Sequence, residues 1–297
     1  MLSIFTIPKP FRGHIGVIQT NAIRSWLSLR PACEVILFGD DEGTAELASE
    51  LGLSHVPGVE RSEYGTPLVN SIFSIAQDIA TYQLMCYVNA DIILMSDFLP
   101  AISQIKVPSF LLIGRRWDID LEKPLDFSSP GWEAQLRQHL AEAGRRHGLS
   151  GLDYFVFRRG TYYDMPPFAI GRTAWDNWIP YKARKLKLPL IDATEAITVV
   201  HQNHDYSHNL SGETGVWKGS EANRNLELLG GRDHAFTLEH VTFLLSPKGL
   251  RPALTMRHLY FRMRAIPILC PHLHFLAMPF KILEKCLRAV RLTGGTA

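Results

Sequence analysis

The chain has 297 residues, of which 46% are apolar and 20% charged. That supply of apolar side chains excludes an intrinsically disordered chain and is enough for one elaborated domain, or one domain with an appendage. Net charge is only +2, yet the segment from Val241 onward holds nine Lys or Arg against the single acid Glu284, so the tail carries +8 and the remainder −6.

The N-terminus, Met1 to Pro8, has no basic leader and reads as a first strand over Leu2–Thr6. A helical pattern follows around His14–Leu29, then a strand at Glu34–Phe38 and a helix over Gly43–Leu51 stopped by Gly52. Leu68, Ile72, Ile75, Ala76 and Ile79 recur at helical spacing within Pro67–Ala80, and apolar strands come at Leu84–Val88 and Phe110–Gly114. This βαβ rhythm over residues 1–116 predicts a doubly wound α/β unit, a mostly parallel central sheet flanked by helices. Cys86 lies inside one strand, and with Cys33, Cys270 and Cys286 it shows no CxxC spacing, which fits a reduced, cytoplasmic setting.

Thr6, Asp40 and Asp91 each sit at or just past the carboxyl end of a predicted strand. In a parallel sheet those ends share one edge, where ligands bind. Asn89-Ala90-Asp91 places a carboxylate where a buried strand meets solvent; the alternative is that these short polar residues only end the strand and cap a helix starting near Ser96. Neither GxGxxG nor GxxxxGK[ST] occurs, which argues against dinucleotide dehydrogenases and P-loop NTPases.

Pro130–His147 reads as an amphipathic helix with Trp132, Leu136 and Leu140 inward, its Arg145-Arg146-His147 end complementing the helix dipole and forming no ligand site. Gly148–Gly171 is turn-rich and aromatic, with a strand-like Tyr154–Phe157 after Asp153. Trp175-Asp176-Asn177-Trp178 then opens a helix whose acid stands between two indoles; aromatic faces stack on sugars and Asp176 could act as a general base, while an ordinary core stripe explains the indoles equally well. The β-branched run Ile197–Val200 ends in His201, His204 and His208 with Asp205 among them, and imidazole with carboxylate is a usual ligand set for divalent transition metals.

In this order these elements resemble the GT-A family of nucleotide-sugar glycosyltransferases, most closely its family 2-like members, over roughly residues 1–210. The resemblance implies that Asn89-Ala90-Asp91 is similar to the DxD motif, with Asn89 replacing the first aspartate and Asp91 ligating Mn2+ or Mg2+ together with His201 or His204. It also implies that Thr6 and Asp40, with Asn89 and Asp91, contact the nucleotide donor, and that Asp176 stands in the acidic catalytic motif, where one acid replaces a frequent pair. Residues 117–240 would form the acceptor-side half, with Asp153, Trp175 and Trp178 toward the acceptor. The implied activity is transfer of a sugar from a nucleotide diphosphate donor to a saccharide or lipid-linked acceptor, with inversion inferred from the base-like acid. Rival readings are a silent GT-A-like domain that binds a nucleotide sugar or a protein, and a sugar-phosphate nucleotidyltransferase, although no Gly-rich triphosphate loop follows the first strand.

Residues 241–297 are set apart as a basic, apolar, helical appendage to a 1–240 catalytic domain. Apolar residues there alternate with Arg257, Arg262, Arg264, Lys281, Lys285, Arg288 and Arg291, and Pro267, Pro271 and Pro279 break the stretch. It is too interrupted to span a bilayer, and either lies peripherally on an anionic cytoplasmic membrane face or packs on its own domain. No nucleic-acid partner is expected, since no RNP or helix-turn-helix pattern is visible.

Overall fold

A computed structural model describes residues 1–204 and 217–277. His208 and Asp205 of the histidine-rich loop, and Pro279 with the tail cations Lys281, Lys285, Arg288 and Arg291, lie outside these residues.

The first half follows the predicted rhythm as β1 (Leu2–Thr6), α1 (Gly13–Leu27), β2 (Glu34–Phe38), α2 (Thr44–Leu51), β3 (Ser54–Val56), α3 (Val69–Ile79) and β4 (Leu84–Val88). The strands β1, β2 and β4 are almost wholly buried, as parallel strands covered on both faces must be. Gly52 closes α2 in the left-handed conformation at φ 66°, which relieves the last carbonyls at no Cβ cost. The stripe Val69, Ile72, Phe73 and Ala76 on α3 is fully buried against the sheet.

The chain continues through β5 (Ile92–Leu94), α4 (Phe98–Ser103), β6 (Leu111–Ile113), β7 (Trp117–Ile119), α5 (Trp132–Ala143), β8 (Arg145–Arg146), β9 (Tyr154–Arg158), α6 (Trp175–Lys185), β10 (Leu190–Asp192) and β11 (Val199–Gln202). Beyond the undescribed stretch come α7 (Ser220–Leu229), β12 (Phe243–Ser246), β13 (Gly249–Pro252) and α8 (Met256–Leu269). Nine strands form one sheet in the order β13-β12-β10-β6-β9-β4-β1-β2-β3, in which only β9 and β13 run antiparallel to their neighbours. The α/β, mostly parallel, helix-flanked layout expected for a GT-A-like chain is therefore present. One face is an aromatic core in which Phe73 stacks on Phe157 and Tyr87 and meets Phe5 edge-on at 5.1 Å between centroids. The other face packs Ile4, Leu37 and Val156 beneath Ala22, Ile23 and Trp26 of α1.

A second, four-stranded sheet has the order β5-β11-β7-β8. It is held to the body by α1, where Trp26 Nε1 donates to Ile92 O at 2.9 Å and Ser25 Oγ accepts from Leu94 N at 3.1 Å. Leu136 and Leu140 of α5 cover it against Ile93, Ile119 and Val200.

Two boundaries differ from expectation. The helix predicted to reach His147 ends at Ala143, and Arg145–Arg146 becomes a strand paired with Trp117–Asp118. Gly144 makes that turn possible, since a Cβ there would stand 2.6 Å from Leu140 O. Residues 243–252, grouped with the appendage on charge, form the β12–β13 hairpin at the edge of the main sheet. Of the appendage proper, α8 packs on the domain through Ala265, the Arg257–Glu239 ion pair and an Arg262 hydrogen bond to Thr242 O, leaving Met256 and Met263 outward. Among the described residues no helix is long and apolar enough to cross a membrane.

Trp26 is completely buried and carries the tie to β5. Trp26→Ala is expected to cost about 3–5 kcal/mol in urea unfolding, and Trp26→Phe about 1–3 kcal/mol for an orphaned Ile92 carbonyl. Near-wild-type stability in Trp26→Phe alongside a large loss in Trp26→Ala would show that packing alone matters.

Candidate active site

The carboxyl edge of the main sheet opens into a cleft of about 670 Å³, within the range of small-molecule sites. Its floor is the turn between β4 and β5, where Ile92 N donates to Asn89 O at 3.1 Å and directs Asp91 inward. The Asp91 backbone carbonyl is clamped by the buried Gln202, whose Nε2 donates to it at 3.1 Å and to Ile18 O at 2.7 Å. His201 and His204 arrive from the end of β11: His204 Nε2 lies 3.1 Å and His201 Nε2 3.8 Å from Asp91 Oδ2.

One ligand atom from each of Asp91, His201 and His204 falls within 4.8 Å of the others. Ligands at adjacent corners of an octahedral cation are about 3 Å apart, so modest ring rotations would close the set. Asp91 Oδ1 is buried and without a hydrogen-bond partner, which is the state of an oxygen awaiting a cation. The residues thus fit a divalent ion. Burial pushes the Asp91 carboxyl up, but His201, His204 and Lys9 outweigh it and hold the group well below the usual carboxylate range. Lys9, on the same wall, is itself lowered by burial against the pull of Asp91.

Opposite stand Asp153 and Asp176. Asn89 Nδ2 donates to Asp153 Oδ1 at 3.0 Å, so the asparagine at the first motif position orients a neighbouring acid. Arg116 pairs with Asp153 and, through Nε at 2.8 Å, with Asp118. Asp176 stands at the start of α6 with Oδ1 accepting from Asn177 N at 3.0 Å. The residue before this helix, Ala174, is buried at φ 88°, a strained conformation for a residue with a Cβ and one that tends to occur at functional sites. Burial, and secondarily the Asp153 charge, raise Asp176 to about 7. Two carboxylates of one cleft are thereby driven in opposite directions by their surroundings.

Other predicted residues are placed differently. Trp175 lines the cleft but is packed edge-on against Tyr87, leaving it 5% exposed. Trp178 does not line the cleft and packs on Phe168 and Tyr162 as part of the core. Thr6 is fully buried in β1, and Asp40 turns outward to pair with Arg61, while its neighbour Asp41 lines the cleft. Residues not singled out on sequence include Lys9, Arg116 and Asp118, for which the Arg115-Arg116 pair just past the strand ending at Gly114 was the available signal, while His147, read on sequence as the end of a helix and no ligand site, lines the cleft and pairs with Asp118. The far rim is joined by Glu221 of α7, a buried carboxylate that accepts from Ser62 Oγ at 2.6 Å and Thr66 Oγ1 at 2.9 Å and pairs with Arg172 at 2.9 Å.

No protein-family model and no curated protein matches the chain. Among solved structures, S. aureus TarS in complex with UDP-GlcNAc is 12% identical, with 89% of this chain and 72% of that one aligned at a TM-score of 0.49. GalNAc-T7 with UDP, GalNAc and Mn2+ is 16% identical over 77% of this chain and 48% of that one, at 0.46. A Desulfovibrio desulfuricans protein assigned as a nucleotide-diphospho-sugar transferase is 11% identical over 77% of this chain and 96% of that one, at 0.43. The chain spans 57% of another TarS structure. At such identities and TM-scores none of these carries chemistry over to this chain.

Raising the Asp176 pKa to about 7 has a stability cost. The neutral acid favours the fold fully below its unfolded value of about 3.9, and that contribution is lost progressively as pH climbs through about 7. Asp176→Asn should therefore be more stable than the wild type at pH 8, by about 1–4 kcal/mol, with the gap closing at pH 4. Urea unfolding at the two pH values measures it; a gap independent of pH would mean that Asp176 is not held neutral.

Proposed function

We propose that this chain is a glycosyltransferase that uses a nucleotide diphosphate sugar and a divalent cation. The observation that carries the proposal is one cleft that holds both the Asp91–His201–His204 cluster and, across it, a carboxyl raised to about 7. Asp91 with His201 and His204 would hold Mn2+ or Mg2+, which when bound supplies charge neutralisation for a departing diphosphate. Lys9 adds a second positive group beside Asp91 when protonated, and Asp41 and Arg61 line the side of the cleft at the ends of β2 and β3, where the donor nucleotide would lie. Asp176, once ionised, accepts the proton of an acceptor hydroxyl as that oxygen attacks the anomeric carbon, and attack from the face opposite the leaving group gives inversion. Asn89 and Arg116 keep Asp153 fixed beside that base. Trp175 offers the acceptor only its exposed edge, and Trp178 stays in the core against Phe168.

The acceptor in this reading is a saccharide or a lipid-linked molecule. In support of the latter, the C-terminal segment carries +8 and α8 turns Met256 and Met263 outward. Cosedimentation that rises with anionic lipid content and weakens with salt is the expected result; indifference to vesicles would leave the soluble saccharide.

Screening nucleotide sugars with Mn2+ for release of nucleotide diphosphate tests the activity itself. Asp91→Asn should abolish cation-dependent release with an unchanged circular dichroism spectrum. Asp176→Asn should lower turnover by about two to four orders of magnitude with donor affinity nearly intact, and should erase a rate limb that rises with pH through about 7 in the wild type. Donor binding without release under any cation would instead identify a catalytically silent nucleotide-sugar-binding domain.

A further inference from the structure

The small sheet places one carboxylate that the mechanism above does not use. Asp118 in β7 is directly in register with His201 in the parallel neighbour β11, so both side chains leave the same face. His201 Nδ1 lies 3.4 Å from Asp118 Oδ1, out of hydrogen-bond alignment, and has no other partner. The opposite ring nitrogen is the one turned toward Asp91. The remaining capacity of Asp118 is taken by Arg116 Nε at 2.8 Å on Oδ1 and by His147 Nδ1 at 2.7 Å on Oδ2. Burial works against this carboxylate, but His201, His147 and Arg116 outweigh it and keep it ionised far into the acid range. Its side chain is 7% exposed and does not line the cleft, so it touches neither substrate nor cation.

We propose, resting on the cation site above, that Asp118 is a positioning residue: it holds the His201 imidazole with Nε2 presented to the cation, and through Arg116 it ties that ligand to Asp153 on the acceptor side of the cleft. The physical reason is the one that governs histidine ligands generally. An imidazole free at Nδ1 can present either tautomer and several ring angles, whereas a carboxylate behind Nδ1 selects the N–H there and leaves the Nε2 lone pair forward. Arg116 then does two jobs with one side chain, since moving it to satisfy Asp118 moves Asp153 and with it the Asn89 contact.

The test is cation binding, measured without turnover. Mn2+ titrated into the full chain, with and without UDP, should bind about 10–100-fold more weakly to Asp118→Asn than to the wild type. The same substitution placed on a His201→Gln background should weaken Mn2+ no further, because the effect passes through that ring. Wild-type affinity in Asp118→Asn, or an equal loss on both backgrounds, overturns the role of Asp118 and leaves the cation site standing. A wild type that binds no Mn2+ overturns the cation site itself, and this inference with it. Should the variant fail to fold, 15N chemical shifts of His201 in the wild type decide instead: a protonated Nδ1 with an unprotonated Nε2 is expected, and the reverse tautomer rejects the proposal.

Discussion

Strand register in the four-stranded sheet is the constraint on which the candidate site depends. Pairing aligns His201 with Ile92 on one side and with Asp118 on the other, so the residue after Asp91, a proposed cation ligand and the carboxylate behind it stand in one row. Side chains alternate between faces with a period of two, so a slip of one residue along β11 would send His201 to the opposite face. What prevents the slip is the apolar packing of Val199 and Val200, with Gln202 reaching Asp91 O and Ile18 O. The chemistry is thus positioned by hydrophobic burial one residue away from it.

Electrostatics then separates the carboxylates in and behind the cleft. Asp91 is buried among His201, His204 and Lys9, where the ionised form is favoured, and Asp118 among Arg116, His147 and His201. Asp176 is buried without a comparable cation, and the neighbouring Asp153 charge adds to the effect. Burial alone would raise all three; the partners decide which stay charged. A cleft that combines such extremes is where proton transfer and cation binding can coexist.

Much of the frame was legible because it rests on local pattern. The buried runs of β1, β2 and β4 and the apolar stripes of α1 and α3 announce themselves, and Asp91, His201 and His204 stand out as polar residues ending apolar runs. Other features depend on contacts distant in sequence. Arg145–Arg146 reads as the charged end of a helix and becomes a strand only because Trp117–Asp118 lies beside it and Gly144 breaks the helix. Asp118 and His147, 29 positions apart, acquire meaning only once β7 and β8 pair. Trp175 and Trp178 have a spacing equally compatible with a core stripe and a sugar platform, and the second of them belongs to the core.

Glu221 has a mechanical consequence. Its one carboxylate receives Ser62, Thr66 and Arg172, so the loop before α3, the approach to α6 and the first turn of α7 are pinned at a single point. Pulling any of them away would leave a buried anion short of donors, a change that costs several kcal/mol when such a pair is broken. That rim of the cleft is therefore braced as one piece, with three segments distant in sequence sharing a single buried anion.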